Sequence, residues 1–154
     1  MLLYYIVAAV LIVVDQLTKW GIVQNFELYE EQVLIPGWFS LFYIQNTGAA
    51  WGIFAGRMWF FYIITAVVVL YLVYTFHKSK IQHKLAGWSF AFILAGAIGN
   101  FIDRLMNGYV VDMFRFDFIN FPIFNVADVC LVIGVGLMII YVLFFEEDET
   151  EIKQ

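Results

Sequence analysis

Two stretches carry acids where an apolar chain has little structural use for them. In GYVVDMF, Asp112 interrupts a run suited to a strand; in FNVADV, Asp128 stands just before the uncharged residues Val129 to Phe145. Two carboxylates brought together form a dyad. Like charges at close range cannot both ionise, so the pair shares one proton and its apparent pKa values split. The ionised member can activate a water while the protonated one donates to a carbonyl oxygen as a tetrahedral intermediate forms. That is amide hydrolysis without a metal or a covalent intermediate. FNVADV also has a plain structural reading: Asn125 as the N-cap of a helix, with Asp128 at N3 complementing the helix dipole.

Other hydrolytic devices are short of residues. HExxH is absent, so no metal is expected. Both histidines, His77 and His83, fall in the link HKSKIQHK, away from the acids. Ser40 with Lys19 is conceivable, but Ser40 belongs to no motif and Lys19 already has an acid four residues before it. The single Cys130 excludes an intrachain disulfide and a cysteine-rich metal site, and within an apolar run it reads as packing. No cofactor is expected.

The elements that must position these acids follow from composition. The chain has 154 residues, 64% of them hydrophobic and 14% charged. A soluble domain this small could not hide that much apolar surface. Four segments, at about 1–23, 58–76, 85–102 and 126–145, approach the roughly 20 residues that cross a bilayer as helix, the form that satisfies its own backbone in lipid. The expected fold is an all-α membrane protein, a four-transmembrane-helix bundle with a small extracytoplasmic β-hairpin, forming one integral membrane domain over 1–154. The first segment lacks a basic start and a small-residue cleavage site, so it reads as a retained span. Lysine density in HKSKIQHK puts that link and both termini in the cytoplasm, leaving 24–57 and 103–125 outside, with Arg57, Arg104 and Arg115. The net charge of −5 reflects the tail EEDETEIKQ, and no basic patch suggests nucleic acid.

Helix rise then gathers the costly polar residues into one layer. Asp15 comes about 21 Å along the first span and Asn100 about 22 Å along the third, at 1.5 Å per residue. Asn125 and Asp128 open the fourth, and the second contributes none. Asp15 and Lys19 have favourable ion-pair spacing, which can simply orient the first helix or border a site. In GAIGNFIDRL, Asn100, Asp103 and Arg104 share a helix side, and Gly96 and Gly99 allow close packing. Asn100 can bond between helices, and Arg104 can meet a lipid phosphate. Outside, Gln32–Ile35 and Trp38–Ile44 flank Pro36-Gly37 as a hairpin whose Trp38, Phe39, Trp51 and Phe54 suit the headgroup zone, and YVVDMFRFDF can add a strand. A small proton or ion carrier is the rival reading, but a relay needs polar residues through the full depth, and the second span with the inner halves of the others offers only Thr65 and Ser89. A membrane scaffold leaves the acids without purpose.

Five motifs in order, DQLTK (15–19), NTGAAWG (46–52), GAIGNFIDR (96–104), VVDMF (110–114) and FNVADV (124–129), resemble those of the lipoprotein signal peptidases, signal peptidase II, across nearly the whole chain. The resemblance implies a bacterial aspartic endopeptidase of the cytoplasmic membrane, its site near the outer surface. Such enzymes remove signal peptides from prolipoproteins, cutting before a diacylglyceryl-modified cysteine. It places the catalytic aspartates at Asp112 and Asp128, and supporting residues at Asp15, Lys19, Asn46, Gly96, Asn100, Arg104 and Asn125. It also implies contact with membrane lipid and inhibition by globomycin-type cyclic peptides. Two departures, Ala95 where a glycine is usual and Met113 where phenylalanine is frequent, touch neither acid.

Overall fold

The computed structural model describes residues 1–49, 53–78 and 83–145. Trp51 of the expected aromatic belt, the end of NTGAAWG, the middle of the lysine-rich link and the acidic tail lie outside the described residues. The elements run α1 (Leu2–Asn25), β1 (Glu31–Ile35), β2 (Phe39–Asn46), α2 (Met58–Lys78), α3 (Lys84–Asn107), β3 (Val110–Phe116) and α4 (Val126–Phe144). All four helices are long and apolar enough to cross a membrane. The protein is therefore multi-pass, with a small antiparallel sheet beside the bundle, and its apolar residues turn outward as lipid requires: Leu70 and Val132 are 70% and 72% exposed.

The helices are not equivalent. Within its spanning stretch α3 is 56% buried and α2 only 11%, so α3 is the central post and α2 a peripheral one. Lipid is as apolar as leucine, so helices in it associate through close packing and hydrogen bonds rather than through a hydrophobic drive. At one end of the bundle Phe76 and Phe90 stack at 3.9 Å, joined by Ala8, Ala91, Leu94 and Ala95. In the same part of the bundle, Ser89 donates its hydroxyl to the Gly134 carbonyl at 2.8 Å. Towards the other end, a Cβ on Gly96 would strike the Ala127 carbonyl oxygen, and one on Gly99 would lie 2.7 Å from Asp15 Oδ2. Glycine at these positions lets α4 and an acid of α1 close on α3.

The α3 helix runs five residues past Ile102 and, as the spacing of Asn100, Asp103 and Arg104 suggests, includes the first charges. Those charges find partners inside the protein, so nothing breaks the helix until Gly108 takes the left-handed conformation (φ 75°) and caps it onto the Arg104 carbonyl. The sheet order is β1-β2-β3. Its hairpin turns at Pro36-Gly37, where Trp38 N–H returns to the Ile35 carbonyl at 2.9 Å. The second strand reaches Asn46, two residues beyond the expected Ile44. The strand expected from YVVDMFRFDF is β3, which pairs with β2 from Phe39↔Phe116 to Asn46↔Val110, with a register shift between Leu41 and Ile44. Beyond that shift, Val111, Met113 and Tyr43 pack with Ile22 of α1. Val110, Asp112, Ile44 and Asn46 alternate to the other face, since side chains alternate along a strand. Trp38 and Phe54 are exposed as expected, but Phe39 is half-buried because it stacks on Phe114 at 5.8 Å.

Candidate active site

The face of β3 that carries Asp112 meets the start of α4, and Asn125 is the joint between them. Asn125 is fully buried and caps α4: its side-chain oxygen accepts from Asp128 N–H at 3.0 Å, and its own backbone N–H donates to Asp128 Oδ2 at 3.1 Å. The N-cap and N3 acid read from FNVADV thus form a reciprocal capping box. Its amide also donates to Asp112 Oδ1 at 2.6 Å, so the residue that starts the helix also holds the acid of the strand. One side chain thus caps α4 and bonds the strand acid.

Further amides fill the remaining positions around the two acids. Asn100 donates to Asp128 Oδ1 at 2.8 Å, and its oxygen accepts from Asn125 at 3.0 Å and from Lys19 Nζ at 2.9 Å. Asn46, diagonal to Asp112 across the β2–β3 pair, donates to Asp112 Oδ2 at 2.9 Å and accepts from Gly48 N–H at 2.9 Å. Burial, and after it the neighbouring Asp128 carboxylate, push the Asp112 carboxyl up to about 7; the Asn46 and Asn125 donors and the Lys19 charge hold it from rising further. A carboxylic acid that titrates near neutrality can lend or take a proton under physiological conditions.

Behind this pair lies a buried ionic layer. Lys19 Nζ bonds Asp15 Oδ2 at 2.9 Å and Asp103 Oδ2 at 3.2 Å. Asp15 does more than balance Lys19: its Oδ1 accepts from Ala127 N–H at 2.8 Å, one of the donors that a helix start leaves open. Asp103 Oδ2 likewise accepts from Val111 N–H at 2.9 Å. Arg104 is turned inward rather than towards a lipid headgroup. It donates to the Gly48 carbonyl at 3.0 Å and lies over the Phe61 ring at 4.3 Å, because the 47–49 loop and α2 offer it a closer acceptor and a ring face.

Eight of the nine residues singled out in the sequence thus converge on one network through side-chain bonds. The ninth, Gly96, belongs to it through space, as the contact at which α4 meets α3. Sequence reasoning missed Gln16, whose amide bonds Asp15, the Gly99 carbonyl and Asp103, and Tyr62 of α2, whose hydroxyl donates to the Arg104 carbonyl at 2.9 Å. An amide at membrane depth was a signal available for Gln16; nothing local marks Tyr62. Ser40 and both histidines lie off the network. Ser40 bonds Asp117, His77 bonds the Tyr5 hydroxyl, and His83 caps α3 at the opposite end from Asn107. Among the described residues no cluster of His, Cys, Asp and Glu is arranged to hold a metal ion.

Two hollows of about 270 Å³ each meet at Asn100, Arg104 and Asp128. One holds Asn46 and Asp112 under an apolar wall of Phe121, Phe124 and Val132. The other is a trough of Ile64, Thr65 and Val68 from α2, Gly96 and Ala97 from α3, and Leu131 from α4. Paired acids at the junction of two mostly apolar hollows suit an extended amide held by greasy groups on both sides.

The chain resembles known proteins over nearly its whole length. The signal peptidase (SPase) II family matches residues 7–144. The lipoprotein signal peptidase of Enterococcus faecalis is 47% identical over 99% of this chain and 95% of its own length. That of Latilactobacillus sakei is 48% identical over 96% and 97%. Two solved bacterial membrane enzyme structures superpose with TM-scores of 0.89 and 0.87 at 38% and 37% identity, covering 93% and 94% of this chain and 88% and 95% of theirs.

Proposed function

This chain belongs to the signal peptidase II family, the membrane peptidases that process prolipoproteins, and we propose that it cleaves them with Asp112 and Asp128 as an aspartic dyad. The observation that carries the proposal is Asn125, whose one buried amide bridges a strand acid and a helix acid. Asp128 sits in the first turn of α4, where the helix dipole favours negative charge, and takes the part of the base. Asp112, titrating near 7, holds the shared proton. Asp128 removes a proton from water as its oxygen attacks the scissile carbonyl carbon, and Asp112 protonates the carbonyl oxygen. In the collapse Asp128 hands its proton to the departing amide nitrogen, the C–N bond breaks, and Asp112 recovers its proton from the diol.

Asp15, Lys19, Asn46, Asn100, Arg104 and Asn125 hold this arrangement, and Gly96 sets the α3–α4 approach. The substrate is a prolipoprotein cut before its diacylglyceryl-modified cysteine. Its acyl chains stay in lipid and keep the bond at the depth of the polar layer, near the extracytoplasmic surface, with both termini of the enzyme in the cytoplasm. A globomycin-type cyclic peptide competes at the same junction. The test is cleavage of a diacylglyceryl-modified prolipoprotein by purified protein in detergent. Asp112→Asn and Asp128→Asn should each remain folded and lose at least about 10³-fold in rate, in the range expected when an acid–base group and its activation of the nucleophile are both removed. Parental cleavage by either folded variant refutes the dyad.

A further inference from the structure

Building on the dyad reading, we propose that Gln16 is a positioning residue that sets the separation of the two acids. The backbone just before each acid is pinned by a buried carboxylate: Ala127 N–H by Asp15 Oδ1 at 2.8 Å, and Val111 N–H by Asp103 Oδ2 at 2.9 Å. One pin belongs to α1 and the other to α3, and each holds the residue next to a reacting group. Two groups tie the pins together. Lys19 bonds both carboxylates at 2.9 and 3.2 Å, and the Gln16 amide nitrogen bonds the same two at 3.1 and 3.0 Å and the Gly99 carbonyl at 3.2 Å.

Lys19 supplies charge and Gln16 supplies geometry. An ammonium group has three rotatable donors at the end of a flexible stem, whereas a carboxamide is planar and directs its two N–H bonds in fixed directions. With only Lys19 left, Asp15 and Asp103 stay neutralised but can slide past each other, and Asp128 and Asp112 move with them. Gln16 contacts neither reacting acid, so it acts only through the pins.

The experiment compares Gln16→Met, which keeps the length and loses the donors, with Gln16→Asn, which keeps the carboxamide and loses reach. Cleavage of the lipid-modified substrate is followed from pH 5 to 10 and normalised to folded protein by melting curves. A misplacement of about 1 Å costs up to about 100-fold, so kcat of Gln16→Met should fall about 10- to 100-fold. KM should stay within about twofold, since substrate contacts are untouched.

The pH profile separates positioning from mere stability. Asp112 is surrounded by Asn46 of β2, Lys19 of α1, Arg104 of α3, and Asn125 and Asp128 at the start of α4, and of these only Asp128 carries a like charge. For carboxylates about 4 Å apart, a widening of about 1 Å at an effective dielectric of about 20 lowers the apparent pKa by about half a unit. The alkaline limb of Gln16→Met should therefore move to lower pH, and that of Gln16→Asn should move less. An unchanged kcat, a fall in kcat with the limb in place, or failure of both variants to fold overturns the proposal. Asp112→Asn in the same series separates the two claims: if it cleaves, the dyad reading fails; if it is silent while Gln16→Met behaves as parent, only the role of Gln16 fails.

Discussion

Replacing Asn46 with leucine tests the protonation of the site through one bond. The Asn46 amide donates to Asp112 Oδ2 at 2.9 Å and so stabilises the ionised carboxylate. Leucine fills similar space and donates nothing. A hydrogen bond to a charged group is worth about 1.5–3 kcal/mol. Asn46 is half-buried, so water recovers part of this, and about 1.4 kcal/mol of net loss corresponds to about one pKa unit. The sign follows from which form loses its partner: the ionised form does, so the carboxyl rises from about 7 to about 8. Activity requires one proton on the pair, so the alkaline limb of the kcat/KM profile should move up by about one unit. At pH 8 the parent would retain about a tenth of its plateau and the variant about half, a relative gain of about fivefold. Rates measured from pH 5 to 10 on the lipid-modified substrate give both limbs. A limb that stays in place, or moves down, in a folded and active Asn46→Leu protein refutes the assignment of the shared proton to Asp112.

Three further outcomes follow from the same geometry. Gly99→Ala puts a methyl 2.7 Å from Asp15 Oδ2, which is already held on both oxygens; overpacking of about 1–3 kcal/mol should lower the detergent melting temperature by about 3–10 °C. Lys19→Met leaves Asp15 and Asp103 buried together without their cation, and chemical unfolding should show a loss of about 3–5 kcal/mol. Asn125→Ser keeps a good N-cap but removes the amide that reaches Asp112. Hydrogen exchange in the first turn of α4 should stay near parental while kcat falls about 10- to 100-fold.

The parts of this molecule that were legible in the sequence are those with a local physical cause. Four long apolar runs read as lipid-facing helices, and Asn125 followed three residues later by Asp128 read as an N-cap with its N3 acid. Pro36-Gly37 between β-rich runs had to turn, and polar residues at equal depth had to meet. Long-range choices were not legible. The end of α3 at Asn107 could not be read from the uncharged run, because Asp103 is neutralised by Lys19 of α1, which is distant in sequence. The inward turn of Arg104 depends on a carbonyl at Gly48 and a ring at Phe61, neither recoverable from spacing. The register shift between Leu41 and Ile44 in the β2–β3 pairing leaves no compositional mark. Gln16 sat in full view inside DQLTK, but an amide reveals its function only once its three acceptors have coordinates.

The peripheral seat of α2 has a kinetic corollary. Only Phe61 and Phe76 of that helix are buried, and the trough it forms with α3 and α4 has aliphatic walls and ends at Asp128. A molecule already dissolved in the leaflet can reach Asp128 by sliding sideways, with no passage through water. Encounter is then a two-dimensional search, and the quantity that saturates the enzyme is the mole fraction of substrate among the surrounding amphiphiles. Adding inert detergent at constant bulk substrate should slow turnover as though substrate had been removed.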